Sequence, residues 1–393
     1  MTKKYATNEW DTLKKVIVGT ATGATVPPMD DSLRYVNYAD VQDPSTIKTG
    51  PYPAQVITEA NEDLDTFAKM LTREGIEVIR PKPITPVSYY DYCPRDIAFV
   101  HGDTAIATPM PIKAREFNYK NIEHAFDNDL IIAPRAGGID KFDKRCVGDP
   151  DILALNENYP AFDAANAIRA DDHIMYLVSN SGNKKGAQYL QEQLGNTAKV
   201  HTLEGVYSYM HIDSTVAFLR EGLMLLNPTR IKDINQLPEH FRNWDYIMCP
   251  EPTDIGYYGN YNNASVWINM NMMSINENLV VLEENQHSLR IELEKHGMKT
   301  EVYRGVAMKK TNVEKTNDVI VQKVKEDRMK LEESQQGAST KEILELLHGF
   351  MILMEKHKLS ALAKDIKDDD EGDNLYSRTE EILKKLYPEL AEK

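Results

Sequence analysis

The chain of 393 residues reads as an α/β protein of radial repeats: a five-bladed propeller with an incomplete first blade, followed by a charged, helical C-terminal extension. A unit of β-hairpin, helix and further strand occurs four times in succession. A helix and strand ahead of these copies make a fifth unit that lacks half of its hairpin. Clusters of ionisable residues stand at the edges of the short apolar runs, where a rigid scaffold presents a polar site.

In chain order, Val16-Ile17-Val18 is a short strand of buried type. The stretch Gly19-Thr20-Ala21-Thr22-Gly23-Ala24 is neither G-x-G-x-x-G nor a P-loop, and Pro27-Pro28 forbid the helix that a phosphate loop needs, so no nucleotide site is expected. Over residues 54–74, Val56, Ile57, Ala60, Leu64, Phe67 and Leu71 share one helical face, and Gly75 stops the helix. Residues 76–79 form the next strand. The first complete unit has a hairpin of 97–100 and 104–108 around Gly102-Asp103, a helix near 115–126 and a strand at 130–133. The second has a hairpin over 167–178, a helix over 184–194 ended by Gly195, and a strand at 200–203. The third turns at Glu221-Gly222 within 216–226, with a helix around 237–244 and a strand at 246–249. The fourth turns at Asn276-Glu277 within 267–282, with a helix over 286–296 ended by Gly297 and a strand at 300–303. In the half unit, residues 16–18 supply one hairpin strand, and the other must come from the far end of the chain.

A net charge of −15 argues against nucleic acid or an anionic membrane as partner, since both call for basic patches. Cys93, Cys146 and Cys249 are too few and too scattered for a disulfide framework or a zinc site, and they fit a reducing cytosol, so a cytoplasmic protein is expected. No apolar run approaches 18 residues and residues 1–11 hold no apolar h-region, so neither a membrane span nor a signal peptide is expected. No cofactor is expected either.

The ionisable clusters carry the chemistry. Asp163 lies in Phe162-Asp163-Ala164-Ala165-Asn166-Ala167-Ile168-Arg169, His211 and Asp213 in Met210-His211-Ile212-Asp213-Ser214-Thr215, and Arg230 in Asn227-Pro228-Thr229-Arg230. Asp163 and His211 suit an orienting acid and a general acid/base, while Asp213 and Arg230 suit a pair that grips a zwitterion. A lone His-x-Asp is equally an ordinary pair of strand-edge polar residues. It has no further ligands at metal-site spacing.

These three motifs, in this order and at these separations, resemble the amidinotransferase family, the glycine amidinotransferases in particular. Such enzymes move the amidino group of arginine onto an amine. The resemblance extends to Asn8-Glu9-Trp10-Asp11, Val16-Ile17-Val18-Gly19, Val26-Pro27-Pro28, Cys93-Pro94-Arg95-Asp96 and Ser265-Val266-Trp267, and covers residues 8–304. It implies the five-bladed α/β propeller called the pentein fold, with a central pocket. It also implies catalytic roles for Asp163 and His211, and a guanidino substrate such as arginine held by Asp96, Asp213, Arg230, Ser265 and Met210. Met210 is the residue type of glycine-using members, whereas Ser208 departs from the asparagine usual there, so the acceptor amine stays open.

The resemblance ends at residue 304 and divides the chain into an amidinotransferase-like propeller, 1–304, and an extension, 305–393. In the family, a glycine-rich turn and a His-Cys pair follow, and the cysteine thiolate attacks the guanidinium carbon. Here Gly305-Val306-Ala307-Met308-Lys309-Lys310 follows, and no cysteine comes after Cys249. Transfer activity is therefore expected to be lost or impaired. Cys93 is the nearest substitute, but its odd offset from Asp96 puts the two on opposite faces of an extended strand unless Pro94 bends it. The alternatives are a thiol-bearing strand from another chain and a non-catalytic scaffold. In the extension, Ile343, Leu344, Leu346, Leu347, Phe350 and Met351 lie at helical spacing, a docking face for the body, a second copy or a partner chain. Residues 379–387 read as a last helix. Residues 318–324 are the one β-like run, expected to pair beside 16–18, with a continuous helix over 312–333 as the competing reading.

Overall fold

The computed structural model describes residues 5–85, 87–127, 129–253 and 265–303. The chain opens with β1 (Lys15–Ile17), β2 (Thr25–Val26), helix α1 (Asp31–Asn37), β3 (Gly50–Pro51), the long α2 (Ala54–Arg73) and β4 (Glu77–Ile79). β1 pairs in parallel with β4, and β2 pairs antiparallel with β3. The Asp30 carboxylate caps α1 by accepting from the Leu33 N–H at 2.9 Å.

Four three-stranded sheets follow. They are β5 (Ala98–His101), β6 (Thr104–Ala107) and β7 (Leu130–Ile132); then β8 (Ala167–Ala170), β9 (His173–Leu177) and, after α3 (Lys184–Leu194), β10 (Lys199–Leu203). The third holds β11 (Val216–Arg220), β12 (Leu223–Leu226) and β13 (Asp245–Met248). The fourth holds β14 (Met273–Asn276), β15 (Leu279–Glu283) and, after α4 (His287–Lys295), β16 (Lys299–Tyr303). In every one, an antiparallel hairpin is extended by a third strand parallel to its second. β1, paired in parallel with β4, thus corresponds to the second hairpin strand of the other units.

Two expected helices are absent as α-helices. Over 115–126 the chain makes successive 3₁₀ turns, Lys113–Arg115, Asn118–Asn121 and Glu123–Ala125. The amides of Asn118 and Asn121 are drawn out to Tyr89 O and to the Asp91 carboxylate, so tertiary bonds replace the helical ladder. Around 237–244 there are only the turns Ile234–Gln236 and Glu239–Phe241, separated by Pro238, which has no N–H to continue a helix.

Shared cores close five of these sheets, that of β1 with β4 and the four three-stranded ones, into a ring. Phe99 and Ile106 pack with Ile174 and Tyr176; Met175 and Leu177 with Phe218 and Met224; Leu219 and Leu225 with Val280 and Leu282. The fourth full sheet returns to the first unit, with Ile275 and Val281 packed on Val18 and Leu71. Ile17 and Ile79 then meet Ile97 and Ala105. The Leu13 N–H donates to Ile275 O at 2.8 Å, which ties the ends of the circuit by main chain. The Asn8-Glu9-Trp10-Asp11 motif is structural: Asn8 Oδ1 accepts from the N–H groups of Trp10 and Asp11, Glu9 grips Arg169 in bidentate fashion at 2.8 Å, and Trp10 is buried against Phe218 and Trp244.

The first sheet has two strands among the described residues. The expected pairing of 318–324, the stripe on 343–351 and the helix over 379–387 lie outside the described residues. No helix of the described residues is long and apolar enough to cross a membrane.

Gly19 lies tightly against the main chain of Tyr92. A Cβ there would stand 2.6 Å from Tyr92 O, in contact with main chain that cannot swing aside. Gly19→Ala is expected to cost about 1–3 kcal/mol in urea unfolding, as overpacking does. A cost indistinguishable from zero would mean that the 90–93 segment yields freely.

Candidate active site

Each complete unit starts with a 3₁₀ turn just ahead of its first strand: Pro94–Asp96, Ala164–Asn166, Ile212–Ser214 and Val266–Met270. Neighbouring turns pack on one another at the centre of the ring. The residues that open them are Cys93, Asp163, His211 and Ser265, and none uses its side chain to cap its own turn. Asp163, His211 and Ser265 share one extended backbone state, with φ of −82°, −83° and −80° and ψ of 144°, 162° and 164°. Cys93 departs from it, with φ −118° and ψ 61°.

Three of the expected side chains meet directly. His211 Nε2 lies 2.9 Å from Asp163 Oδ2, and His211 Nδ1 lies 3.7 Å from Asp96 Oδ1. A carboxylate only accepts, so Nε2 carries the proton toward Asp163. Asp163 is fully buried. Burial opposes charge on His211, but Asp96, the hydrogen bond to Asp163 and the nearby Asp213 outweigh it and raise its pKa to about 9. Burial likewise opposes charge on Asp96, yet His211 and Arg115 hold its carboxyl below the usual value. Burial raises the Asp213 carboxyl above its ordinary value against the pull of His211 and Arg95.

Arg115, which the motifs did not single out, completes the centre. Its side chain is 2% exposed, and Nη1 donates to Asp96 Oδ2 at 2.8 Å and lies 3.9 Å from Asp163 Oδ2. Tyr90, held at a φ of 64°, places its ring under the guanidinium, 4.8 Å from ring centre to Cζ. Nothing local signals Arg115, because its two carboxylates lie 19 and 48 positions further off in sequence, one on each side. Asp163 Oδ1 and Arg115 Nε are buried without a hydrogen-bond partner among the described residues.

The remaining expected residues are spread more widely. Arg230 makes no ion pair among the described residues: Nη1 donates to Ser214 O, Ser214 Oγ and Thr215 Oγ1 at 2.7–2.8 Å, and its Cζ lies 3.4 Å from the Tyr207 ring centre. Met210 packs its side chain on Leu33, Val36 and Ile112, away from a purely ligand-facing role. Ser265 opens the last turn and is exposed. At Cys93 the exception left open for Pro94 applies, because Pro94 starts a 3₁₀ turn and strand alternation does not hold there. Asp96, Asp213 and Asp163 all act on the Cys93 thiol, and burial first, then Asp96, drive its pKa well above the ordinary value. Among the described residues no group of His, Cys, Asp or Glu could hold a metal ion.

Comparison with known proteins bears on the family and the fold. No family model matches the chain. The chain is 40% identical over 286 residues to inosamine-phosphate amidinotransferase 1 of Streptomyces glaucescens, covering 68% of this chain and 81% of that protein. It is 31% identical to the L-arginine:L-lysine amidinotransferase of Pseudomonas savastanoi pv. phaseolicola, covering 68% and 80%. The solved inosamine-phosphate amidinotransferase StrB1 of Streptomyces griseus superposes with a TM-score of 0.71 at 38% identity, over 77% of this chain and 92% of that one. With this similarity and the ring of five sheets around a His–Asp centre, the chain belongs to the amidinotransferase family.

Proposed function

We propose that the chain binds arginine or a related guanidino compound at the centre of the ring, and that amidino transfer by this chain alone is lost or impaired. Asp163 and His211 are the proton-handling pair, Asp96 and Asp213 the carboxylates that meet the guanidinium, and Arg230, Ser265 and Met210 the outer contacts. The observation that carries this reading is the gathering of Asp96, Asp163 and Asp213 around His211, with Asp163 Oδ1 buried and without a hydrogen-bond partner among the described residues. A guanidinium is a planar cation with five N–H donors and no acceptor, the complement of such a set. With a pKa of about 9, His211 is charged at neutral pH and suited to give a proton to a leaving amine. The names of the relatives pair amidino transfer with different acceptors, inosamine phosphate, lysine and glycine, so family membership leaves the acceptor amine open.

The loss of transfer rests on the thiols. A guanidinium is a resonance-stabilised cation and needs a strong nucleophile. Burial raises the pKa values of Cys93, Cys146 and Cys249, the last to about 12, so none is a ready thiolate. Removing the nucleophile from a catalytic unit costs on the order of 10⁶ in rate, roughly 8 kcal/mol. The three unpaired cysteines also suit a reducing compartment such as the cytosol.

Calorimetry with arginine, run beside an ornithine-release assay on the purified chain, tests both parts. Binding in the micromolar-to-millimolar range is expected, as a few charge-assisted hydrogen bonds give. Asp213→Ala should weaken it more than His211→Ala, because the carboxylate meets the cation and the imidazole moves a proton. Absent binding, or equal effects of the two substitutions, would favour a scaffold role, and ornithine release by the chain alone would refute the loss of transfer. A first sheet with two strands among the described residues leaves room for a second reading, in which another chain supplies the thiol strand. Release that appears only when a peptide with a glycine-rich turn and a His-Cys pair is added would establish it.

A further inference from the structure

Behind Asp163 and His211 lies a buried polar cluster that the chemistry above does not use. Asn166, Ser179 and Ser181 have no exposure, and Asn183 has 1%. Three of them stand in the loop between β9 and α3, and the fourth ends the turn that Asp163 opens. Buried polar side chains are tolerated when their bonds are made, and here Ser181, Asn166 and Ser179 form one directed chain, while Asn183 bonds to Asn156 O and Tyr159 O. Ser181 Oγ donates to Asn166 Oδ1 at 2.9 Å, and Asn166 Nδ2 donates to Leu177 O and to Ser179 Oγ, both at 2.9 Å. Ser179 Oγ donates in turn to Met210 O at 2.6 Å. The direction is forced, because a carbonyl only accepts: the single Ser179 proton goes to Met210, and Asn166 must then face Ser179 with its nitrogen.

The same loop holds the other half of the pair. The Asp163 N–H donates to Ser181 O at 3.0 Å, and the Asn180 N–H donates to Ser208 O at 2.7 Å on the segment that leads to His211. Gly182 leaves no slack, since a Cβ there would come within 2.6 Å of Asn166 Nδ2. One loop thus grips Asp163 through its main chain and His211 through the peptide before it.

We propose that Ser179 is a positioning residue for the Asp163–His211 pair, its hydroxyl fixing the Met210–His211 peptide so that the imidazole stays in hydrogen-bonding range of the carboxylate. The proposal rests on reading Asp163 and His211 as the proton-handling pair. Ser179→Ala removes the donor to Met210 O and the acceptor of Asn166 Nδ2 together. The short His211–Asp163 contact then loosens, and with it part of the cause of the raised imidazole pKa.

The test follows the His211 ring by NMR across pH in the intact chain without ligand, with His211→Gln identifying its resonance. Ser179→Ala is expected to lower the His211 pKa by about one unit. Ser274→Ala serves as the control: Ser274 is also buried and its Oγ also donates to a backbone carbonyl, Leu219 O, but in another sheet, so the His211 titration should stay in place. An unmoved titration in Ser179→Ala, or an equal shift in both variants, overturns the proposal. If Ser179→Ala does not fold, Ser179→Cys keeps a weak donor, and a smaller downward shift supports the proposal while none overturns it. Arginine binding by the unaltered chain is measured separately, so its failure would count against the proposed ligand and leave the Ser179 result readable.

Discussion

Arg115→Met is expected to destabilise the protein by about 3–5 kcal/mol, the cost of removing one partner from a buried ion pair. Asp96 would remain almost wholly buried with its 2.8 Å partner gone, and Asp163 would lose the guanidinium at 3.9 Å. The double variant Arg115→Met/Asp96→Asn should recover much of the loss, because the stranded carboxylate rather than the missing bond is the main cost. Urea unfolding of the two variants and the unaltered chain measures this. A single-variant loss below about 1 kcal/mol, the range of exposed pairs, would show that water reaches Asp96 freely.

Asp163→Asn is expected to change how stability depends on pH. The His211 pKa is about 9 in the folded protein against a reference value of 6.5. A raised pKa gives stability that is fully present below pH 6.5 and is lost as pH rises through 9. Without the Asp163 charge the folded value falls, so the variant is less stable than the unaltered chain near pH 6 and the gap narrows toward pH 9 and above. Cysteines and tyrosines with raised values act in the same alkaline direction in both proteins, so the difference between the two is the quantity to read. A gap constant from pH 6 to 9.5 would mean that Asp163 does not set the imidazole's charge.

The ring was legible in the sequence because its signals are local. Glycines at 102 and 222 mark hairpin turns, and α3 falls on residues 184–194 as expected because Asn183 caps it and Gly195 ends it. The two missing helices were misread because tertiary bonds from Asn118 and Asn121, and the break at Pro238, decide those segments. Asp163, His211 and Asp96 were legible through motif wording. Arg115 was not, since its meaning lies in carboxylates brought to it only by closure of the ring. Ser179 was hidden differently: a Ser-Asn-Ser-Gly-Asn stretch reads as an ordinary loop, and only burial shows that its side chains are bonded inward. Arg230 was legible as a motif residue, but its stacking on Tyr207 was not, since spacing does not reveal that partner.

The four turns at the centre have a consequence for how new chemistries arise on this scaffold. Three of their opening residues, an acid, an imidazole and a hydroxyl, occupy nearly the same backbone state, and no side-chain bond to the turn fixes the residue type. Each of these three positions is in effect a socket of one standard shape, and no bond from its side chain to its own turn ties the residue type to the strand that follows. A ring of such sockets separates invention from architecture: an altered reaction needs a new combination at a few interchangeable places, while the frame that aims them stays as it was.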